Sequence, residues 1–177
     1  MFPESEARHA DRLLSVAERR RQLSWMERRL ENFARSRIGG WYYINVAMRV
    51  DRVLLPLTGG RISSSPGAPV CLLETIGAKS GQVRKTPLLF MADGERVILI
   101  GSKAGAAKHP AWVHNLRANP RVKLLAPKRT GEYVAREAEG EERERLWNEA
   151  VDVYAGYQTY QGRAGNRRIP VIVLEPT

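Results

Sequence analysis

Residues 86–101 read Thr86-Pro-Leu-Leu-Phe-Met-Ala-Asp-Gly-Glu-Arg-Val-Ile-Leu-Ile-Gly101. Two runs rich in Val, Ile and Leu, at residues 86–91 and 96–101, flank the pair Asp93-Gly94, and such runs are typical of β-strands. Asp-Gly favours a two-residue hairpin turn because both residues tolerate a positive φ. The stretch therefore predicts an antiparallel β-hairpin.

Four further runs of similar composition predict strands at residues 70–75, 121–126, 133–136 and 169–174. Between the strands only two segments favour helices. Residues 110–118 have Pro at the first turn, and residues 141–154 form an acidic helix with one apolar stripe. Strands joined by hairpins and interrupted by so few helices favour an α+β fold with a small antiparallel barrel over a βαβ repeat.

The N-terminal third has a different pattern. Residues 6–37 contain no Pro or Gly, and their apolar side chains recur every three or four residues, which predicts an amphipathic helix. A second predicted helix covers residues 41–55 and ends at Pro56, before a loop rich in Gly, Ser and Pro. We expect two parts: a helical N-terminal extension, residues 1–58, and a barrel domain, residues 59–177.

The charge is strongly basic and concentrated in one place. The 177 residues include 29 Lys and Arg against 19 Asp and Glu, a formal net charge of +10. Such a balance points to an acidic partner, whether nucleic acid, an anionic membrane or an anionic ligand. Residues 76–129 alone carry 11 basic and 2 acidic side chains, so we expect a localised anion site.

Several classes of protein are excluded or disfavoured. The single Cys71 lies in an apolar run, which excludes a disulfide framework and predicts a buried thiol. No signal peptide and no run of roughly 18 apolar residues are present, so we expect a cytoplasmic protein. Dinucleotide, Walker and nucleophile-elbow motifs are missing. His109 and His114 would lie on different helix faces, and we expect no metal site. Any chemistry would then come from a bound organic cofactor.

Two glycine-containing segments could accept an anion. In residues 75–88, Gly77 and Gly81 lie beside Lys79, Arg84 and Lys85. Glycines let backbone N–H groups approach an anion, and the cations add charge-assisted hydrogen bonds. The alternative is a solvated hairpin with ordinary surface charges.

The second segment, residues 101–112, runs from a strand end through small residues to the start of a helix, whose dipole favours an anion. Small residues leave room for a flat ligand. Trp112 could then cover a ring and Asn115 could form hydrogen bonds to it, although a helix Trp more often belongs to the core.

Tyr154, Tyr157 and Tyr160 recur every three residues after the acidic helix. Three hydroxyl-bearing rings could form a wall for a flat substrate and donate hydrogen bonds to developing negative charge. They could equally form an aromatic seam that closes the barrel. Periodicity does not separate these interpretations.

Several ordered motifs resemble one known family. They are Gly-Ala-Lys-Ser-Gly at 77–81 with Arg84 and Pro87-Leu88, Ser102-Lys103, His109-Pro-Ala-Trp112, Asn115-Leu-Arg-Ala-Asn-Pro120, residues 154–161, and Arg168-Ile-Pro-Val-Ile-Val-Leu-Glu-Pro176. From about residue 59 to 176 the sequence resembles the deazaflavin-dependent nitroreductases of actinobacteria, which use coenzyme F420. The resemblance implies a split β-barrel that holds the deazaflavin in a groove. It also implies hydride transfer from reduced F420 to a quinone or nitroaromatic acceptor.

The resemblance also implies residue roles. The phosphate and polyglutamate tail of F420 would lie against Lys79, Ser80, Arg84 and Pro87. The ring and ribityl portion would be lined by Ser102, Lys103, Ala111, Trp112, Asn115 and Tyr157. The substrate would face Tyr154, Tyr157 and Tyr160, and the candidates for orienting it and assisting its protonation are Tyr154, Tyr157 and Ser102. Flavin mononucleotide, which related split barrels bind, stays an alternative cofactor.

Other functions are weighed against this enzyme. An Arg-rich amphipathic helix over residues 13–37 would also suit a non-catalytic carrier, or peripheral membrane contact through the N-terminal helix. We expect no nucleic-acid partner, because Phe90 and Trp112 are the only Phe, Tyr or Trp residues in the basic stretch 76–129. The expected partner is a small-molecule acceptor, and the sequence leaves the oligomeric state open.

Overall fold

Residues 47–64 and 68–177 are described by a computed structural model. The predicted helix over residues 6–37 lies outside this part of the chain, as do residues 41–46 of the helix predicted over residues 41–55. Of the latter, α1 (Met48–Leu57) is observed, and it continues one residue beyond the predicted stop at Pro56.

Six strands form a closed barrel in which every neighbouring pair is antiparallel, in the order β1-β2-β3-β6-β5-β4. The strands are β1 (Val70–Ile76), β2 (Val83–Asp93), β3 (Arg96–Ile100), β4 (Arg121–Leu125), β5 (Gly131–Glu137) and β6 (Val171–Pro176). All six predicted strands are present, with ends that differ by three residues at most. The α+β barrel prediction is confirmed.

The longest strand, β2, serves two partners in turn. Its first seven residues pair with β1, from Ile76↔Val83 to Val70↔Leu89, and its last four pair with β3. The hairpin to β3 differs by one residue from the prediction, because its turn residues are Gly94 and Glu95. Asp93 stays in β2, where its carboxylate pairs with Arg96 and Arg145, and Gly94 has the positive φ of 61° that the turn requires.

The remaining helices are α2 (Ala111–Ala118), α3 (Gly140–Val153) and α4 (Gly156–Arg163). The first two were predicted, whereas α4 was not. Its glycines and its polar residues give no apolar stripe, so the sequence of α4 carries no periodic signal.

Three apolar clusters explain how the helices lie on the barrel. The barrel interior is filled from all six strands, and Trp112, Val113 and Leu116 of α2 pack into it. Outside the barrel, Leu146 of α3 packs on the β3–β6 face, and Leu55 of α1 packs on Val70 and Leu72 of β1. Because α1 shares buried contacts with β1, it lies directly on the barrel. The predicted boundary at residues 58 and 59 stays a prediction.

Ion pairs attach α3 to the barrel. Glu142 accepts hydrogen bonds from Arg136 of β5 at 2.6 Å and from Arg96 of β3 at 3.0 Å. The bond from Arg136, followed by that from Arg96, lowers the pKa of Glu142 to about 2. Arg136 also pairs with Glu175 of β6. The bonds of Glu142 therefore attach α3 to β5 and β3, and the Arg136–Glu175 pair joins β5 to β6.

Three further properties of the described residues bear on function. None of the helices in residues 47–64 and 68–177 is both long and apolar enough to cross a membrane. In the same ranges, no three His, Cys, Asp or Glu side chains come together in a group that could hold a metal ion. Cys71 is buried, as predicted, and burial raises the pKa of its thiol to about 12.

Candidate active site

The turn between β1 and β2, residues 77–82, forms the first part of the candidate site. It closes through hydrogen bonds from Gly77 N to Gln82 O at 2.9 Å and from Gly81 N to Gly77 O at 2.8 Å. Gly81 has a φ of 66°, and a side chain at Gly77 would approach Ser80 Oγ to 2.7 Å. The backbone therefore favours glycine at position 81, a side chain at position 77 would have to displace that of Ser80, and the turn leaves Lys79 and Ser80 exposed.

Two of the three cations near this turn have no acidic partner within the described residues. Lys79 and Arg84 form no ion pair there, and the Arg84 guanidinium only reaches Ser80 Oγ at 3.4 Å. In contrast, Lys85 pairs with Glu74 at 2.7 Å. The turn thus keeps two uncompensated positive charges, which is the arrangement an anionic ligand requires. Pro87, further along β2, is buried opposite Leu72.

Asn115 holds this turn from α2. Its Oδ1 accepts a hydrogen bond from Ala78 N at 3.0 Å, and its Nδ2 donates to Thr75 Oγ1 at 3.0 Å. Both Thr75 and Asn115 are buried. The amide therefore fixes the position of the turn relative to α2. This structural contact spans 37 residues of sequence, and no local pattern indicates it.

Trp112 is mostly a core residue. Only 5% of its surface is exposed, and it packs with the barrel interior, which favours the core interpretation of this ring. Ala111, immediately before it at the first position of α2, is exposed. A ligand near the start of α2 would therefore meet Ala111 first.

The loop after β3 contains a run of left-handed backbone, here called the left-handed turn (Lys103–Gly105). Lys103, Ala104 and Gly105 have φ values of 47°, 52° and 81°. Left-handed conformation costs roughly 1–2 kcal/mol for each residue with a side chain. Ser102 precedes the turn in right-handed conformation. Such strain persists only where surrounding groups hold it, and it is concentrated at functional sites.

Arg167, which the sequence analysis did not single out, supplies much of that support. Its guanidinium donates to the backbone oxygens of Gly101, Ser102 and Ala106 at 3.1, 2.7 and 2.8 Å. It also contacts Nδ1 of His109 at 3.3 Å. An Arg in a loop gives no sequence signal for this role, because its partners lie about 60 residues earlier.

The tyrosine cluster (Tyr154, Tyr157 and Tyr160) lies beside the left-handed turn. The ring centroids are 5.2 to 6.4 Å apart, and the hydroxyls of Tyr154 and Tyr160 meet at 3.2 Å. Tyr157 is buried against Trp147, and burial raises the pKa of its phenol. A side chain at Gly105 would approach Tyr160 O to 2.8 Å, so α4 and the turn are in close contact.

The predicted site residues therefore come together in two groups joined by α2. The loop of Ser102 and Lys103 lies against α4 through the contact of Gly105 with Tyr160. Lys79, Ser80 and Arg84 lie on or beside the turn that Asn115 holds. The α2 helix connects them, because it begins after the loop that carries Ser102 and reaches the β1–β2 turn through Asn115.

A sequence profile decides which family this arrangement belongs to. The profile described as F420H(2)-dependent quinone reductase matches residues 47–176. This chain is a member of that family. The F420H2-dependent quinone reductase match includes α1, and so begins earlier than the resemblance from residue 59.

Individual relatives agree with the family match. A Mycobacterium tuberculosis protein named F420H(2)-dependent quinone reductase is 42% identical over 133 residues, which cover 72% of this chain and 88% of the relative. A solved structure described as an F420-H2 dependent reductase has 41% identity and a TM-score of 0.56, covering 60% of this chain and 94% of its own. Another, described as a domain-swapped dimer, has 36% identity and a TM-score of 0.58, covering 72% and 94%.

Membership in the F420H2-dependent quinone reductase family confirms three predictions. The chain is an oxidoreductase, its cofactor is coenzyme F420, and its fold is the split β-barrel of these reductases. Quinones are the acceptor class of the family. The roles assigned above to individual residues stay predictions.

Proposed function

We propose that this chain binds reduced F420 between the β1–β2 turn and the left-handed turn, and reduces a quinone that lies against the tyrosine cluster. When bound, reduced F420 supplies a hydride, and a quinone that takes this hydride and one proton becomes a hydroquinone. The contact between Gly105 and Tyr160 carries the proposal, because it brings the predicted cofactor loop directly against the predicted acceptor helix.

The cations fit the anionic tail of F420. Lys79, Arg84, Lys103 and Lys108 belong to the two predicted segments, and none forms an ion pair with another described residue. Paired cations would have to release a carboxylate before they could bind phosphate. We infer that Lys79, Ser80 and Arg84 hold the tail, and that Lys103 adds charge nearer the ring.

The tyrosines suit an acceptor that gains negative charge on oxygen. A tyrosine phenol keeps its proton at neutral pH, and burial raises the pKa of Tyr157 further, so this hydroxyl would serve as a neutral donor. The Tyr154 and Tyr160 hydroxyls, half-buried beside it, form a second polar edge. We infer that Tyr154, Tyr157 and Ser102 orient the acceptor oxygen and assist its protonation, as neutral donors do for a developing oxyanion.

The test is a titration followed by turnover. Purified full-length chain is titrated with F420, and oxidation of reduced F420 is followed spectroscopically with menadione and with a nitroaromatic. We expect F420 to bind more tightly than flavin mononucleotide, and menadione to be reduced. Absence of F420 binding, or binding without oxidation by menadione, would contradict the proposal. Oxidation by the nitroaromatic decides whether the acceptor range extends beyond quinones.

Single variants then locate the tail. Lys79→Ala and Arg84→Ala should each weaken F420 binding by roughly 1–3 kcal/mol, as loss of a charge-assisted hydrogen bond does. Lys85→Ala is the matched control, since Lys85 follows Arg84 on β2 but already pairs with Glu74. Equal effects at all three positions would indicate general attraction by positive charge and contradict a specific tail site.

We also propose peripheral contact with an anionic membrane through α1. Its outward face carries Val50, Val53 and Leu57, which are 45%, 61% and 79% exposed and recur at three- and four-residue intervals. Exposed Arg49 and Arg52 lie on the same helix and have no acidic partner among the described residues. Apolar side chains flanked by free cations are typical of helices that lie on anionic lipid.

Vesicle co-sedimentation tests this contact. The full chain should bind vesicles that contain phosphatidylglycerol more strongly than pure phosphatidylcholine vesicles, and Val53→Asp with Leu57→Asp should abolish the binding. Val134→Asp is the control. Val134 is also exposed, but it lies on β5, across the barrel from β2 and therefore away from α1, which packs beside β2 on β1. Binding that persists in the double variant would assign the contact to another surface, such as the predicted helix over residues 13–37.

A further inference from the structure

Arg167 differs from the other arginines near α3 and the barrel in what it binds. Arg96, Arg136, Arg145 and Arg168 each pair with a carboxylate. Arg167 forms no ion pair within the described residues, and it donates instead to three backbone oxygens and contacts His109. Removal from water without an acidic partner lowers the pKa of its guanidinium. The positive charge of Arg167 therefore lies beside uncharged backbone acceptors. A surface ion pair does not explain this arrangement.

The acceptors surround one short segment. Gly101 O and Ser102 O lie immediately before the left-handed turn, and Ala106 O lies immediately after it. A single rigid guanidinium thus fixes both ends of the turn at once. Lysine could not do the same, because its ammonium lacks the planar fork that reaches several acceptors in fixed directions.

Neighbouring contacts leave the turn little freedom. Gly101 N donates to Pro170 O at 2.9 Å, and a side chain at Gly101 would approach Pro170 Cγ to 2.7 Å. On the other side, Gly105 lies against Tyr160 and Arg163 of α4. The strained residues Lys103 and Ala104 lie between these two contacts, held at their ends by Arg167.

We propose that Arg167 is a positioning residue of the reductase. It holds Lys103 and Ala104 in left-handed conformation, so that Ser102 and Lys103 keep the placement that the cofactor needs beside the tyrosine cluster. This inference rests on the proposed function only in naming F420 as the ligand of Ser102 and Lys103. The claim that Arg167 holds the turn concerns the chain alone and can be measured without F420.

The first experiment uses the full chain without cofactor. Amide hydrogen exchange is compared in wild type, Arg167→Gln and Arg168→Gln, the second being an adjacent Arg that pairs with Glu144. We expect exchange at Gly105 and Ala106, whose amides donate to Ser102 O and Lys103 O, to become at least tenfold faster only in Arg167→Gln. Amides of the β3–β6 ladder should be unchanged, which shows that the barrel is folded. Unchanged Gly105 and Ala106 amides, or equal changes in Arg168→Gln, would overturn the proposal.

The second experiment measures whether loss of Arg167 weakens F420 binding through strain in the left-handed turn. Arg167→Gln should weaken F420 binding at least tenfold, and Arg167→Lys by a smaller factor. Adding Ala104→Gly should restore much of the binding in Arg167→Gln, because glycine adopts a positive φ without strain. Urea denaturation of the same variants separates a local rescue of binding from a general gain in stability, since relief of strain by Ala104→Gly also raises the free energy of unfolding. No rescue, or unaltered F420 affinity in Arg167→Gln, would overturn the role, whereas a wild-type chain that fails to bind F420 would overturn the proposed function instead.

Discussion

Asn115 shows how much can depend on one buried amide. Replacing it by Ala leaves the Ala78 N–H and the buried Thr75 hydroxyl without their partner. We expect Asn115→Ala to lower the free energy of unfolding by roughly 1–3 kcal/mol, measured by urea denaturation. The exposed Asn148 of α3 is the control, and its replacement by Ala should change stability by less than about 0.5 kcal/mol.

His109 is a second residue whose environment sets its chemistry. Burial, followed by the charges of Arg117, Arg167 and His114, lowers its pKa below the ordinary value of 6.5, and Glu137 opposes them. The neutral form is therefore favoured in the folded state, and folding should be destabilised as pH falls through 6.5. NMR titration should give a His109 pKa below 6.5, and Arg167→Gln should raise it. A titration at or above 6.5 in wild type would contradict this account.

At the scale of elements, the packing of Tyr154 against α4 depends on Gly156, and no hydrophobic periodicity in the sequence indicates this requirement. A side chain at Gly156 would overlap the Tyr154 ring, and it would lie 2.6 Å from the Tyr154 hydroxyl. Gly156→Ala should therefore displace Tyr154 from Tyr160 and reduce turnover with menadione at least tenfold, while F420 affinity changes little. Gly162 provides the control in the same helix, because a side chain there meets nothing within 4 Å. Comparable losses in both variants would mean that helix stability, and not the tyrosine contact, is responsible.

The elements also show where sequence reasoning succeeds. The strands were predictable because each has a run of Val, Ile and Leu bounded by turn residues, and burial on one or both faces requires that composition. The hairpin turn at residues 94 and 95 was displaced by one residue, because ion pairs keep Asp93 in the strand. Helix α4 and its Tyr160 contact were missed, since they depend on packing against the loop of Gly105.

The candidate site also has parts that the sequence predicts and parts that it does not. Lys79, Ser80 and Arg84 are neighbours in sequence, so their common location was predictable from one segment. The contacts of Asn115 with residue 78 and of Arg167 with residues 101–106 join distant segments. No local rule reports such contacts, because they exist only once the barrel has brought the segments together.

For the whole molecule, the basic residues fall into two groups: some form ion pairs within the fold, and others are available to an anionic ligand. Of the basic residues in 76–129, Lys85, Arg96, Arg117 and Lys123 pair with acidic side chains of the fold. The others form no ion pair with a described residue, and they include Lys79, Arg84, Lys103 and Lys108. The total charge indicated an anionic partner, but only the pairing shows which cations are available to it.

The pH dependence of the unfolding free energy should reflect the ion pairs that join α3 to the barrel. The pKa of Glu142 is lowered from 4.5 to about 2, so the stability it contributes is complete above pH 4.5 and is lost as pH falls towards 2. Glu142→Gln should lower the unfolding free energy at pH 7 and flatten its decline between these limits. Exposed Glu141, which has no ion pair in the described part, is the control. A variant whose decline keeps the wild-type slope would assign acid sensitivity to other carboxylates.

Closure of the barrel has a consequence for assembly. Each strand from β1 to β6 has a neighbour on both sides, so within residues 47–64 and 68–177 strand addition is limited to the short stretches that the ladders leave unpaired, such as the β3-facing side of residues 83–89 in β2. Two folded copies would therefore meet mainly through side-chain surfaces. An exchange of strands between copies would first require a strand to leave the barrel. Such an exchange therefore takes place during folding and not between folded copies. We expect the proportion of any exchanged dimer to depend on how the chain was refolded, and to stay constant when the folded protein is diluted.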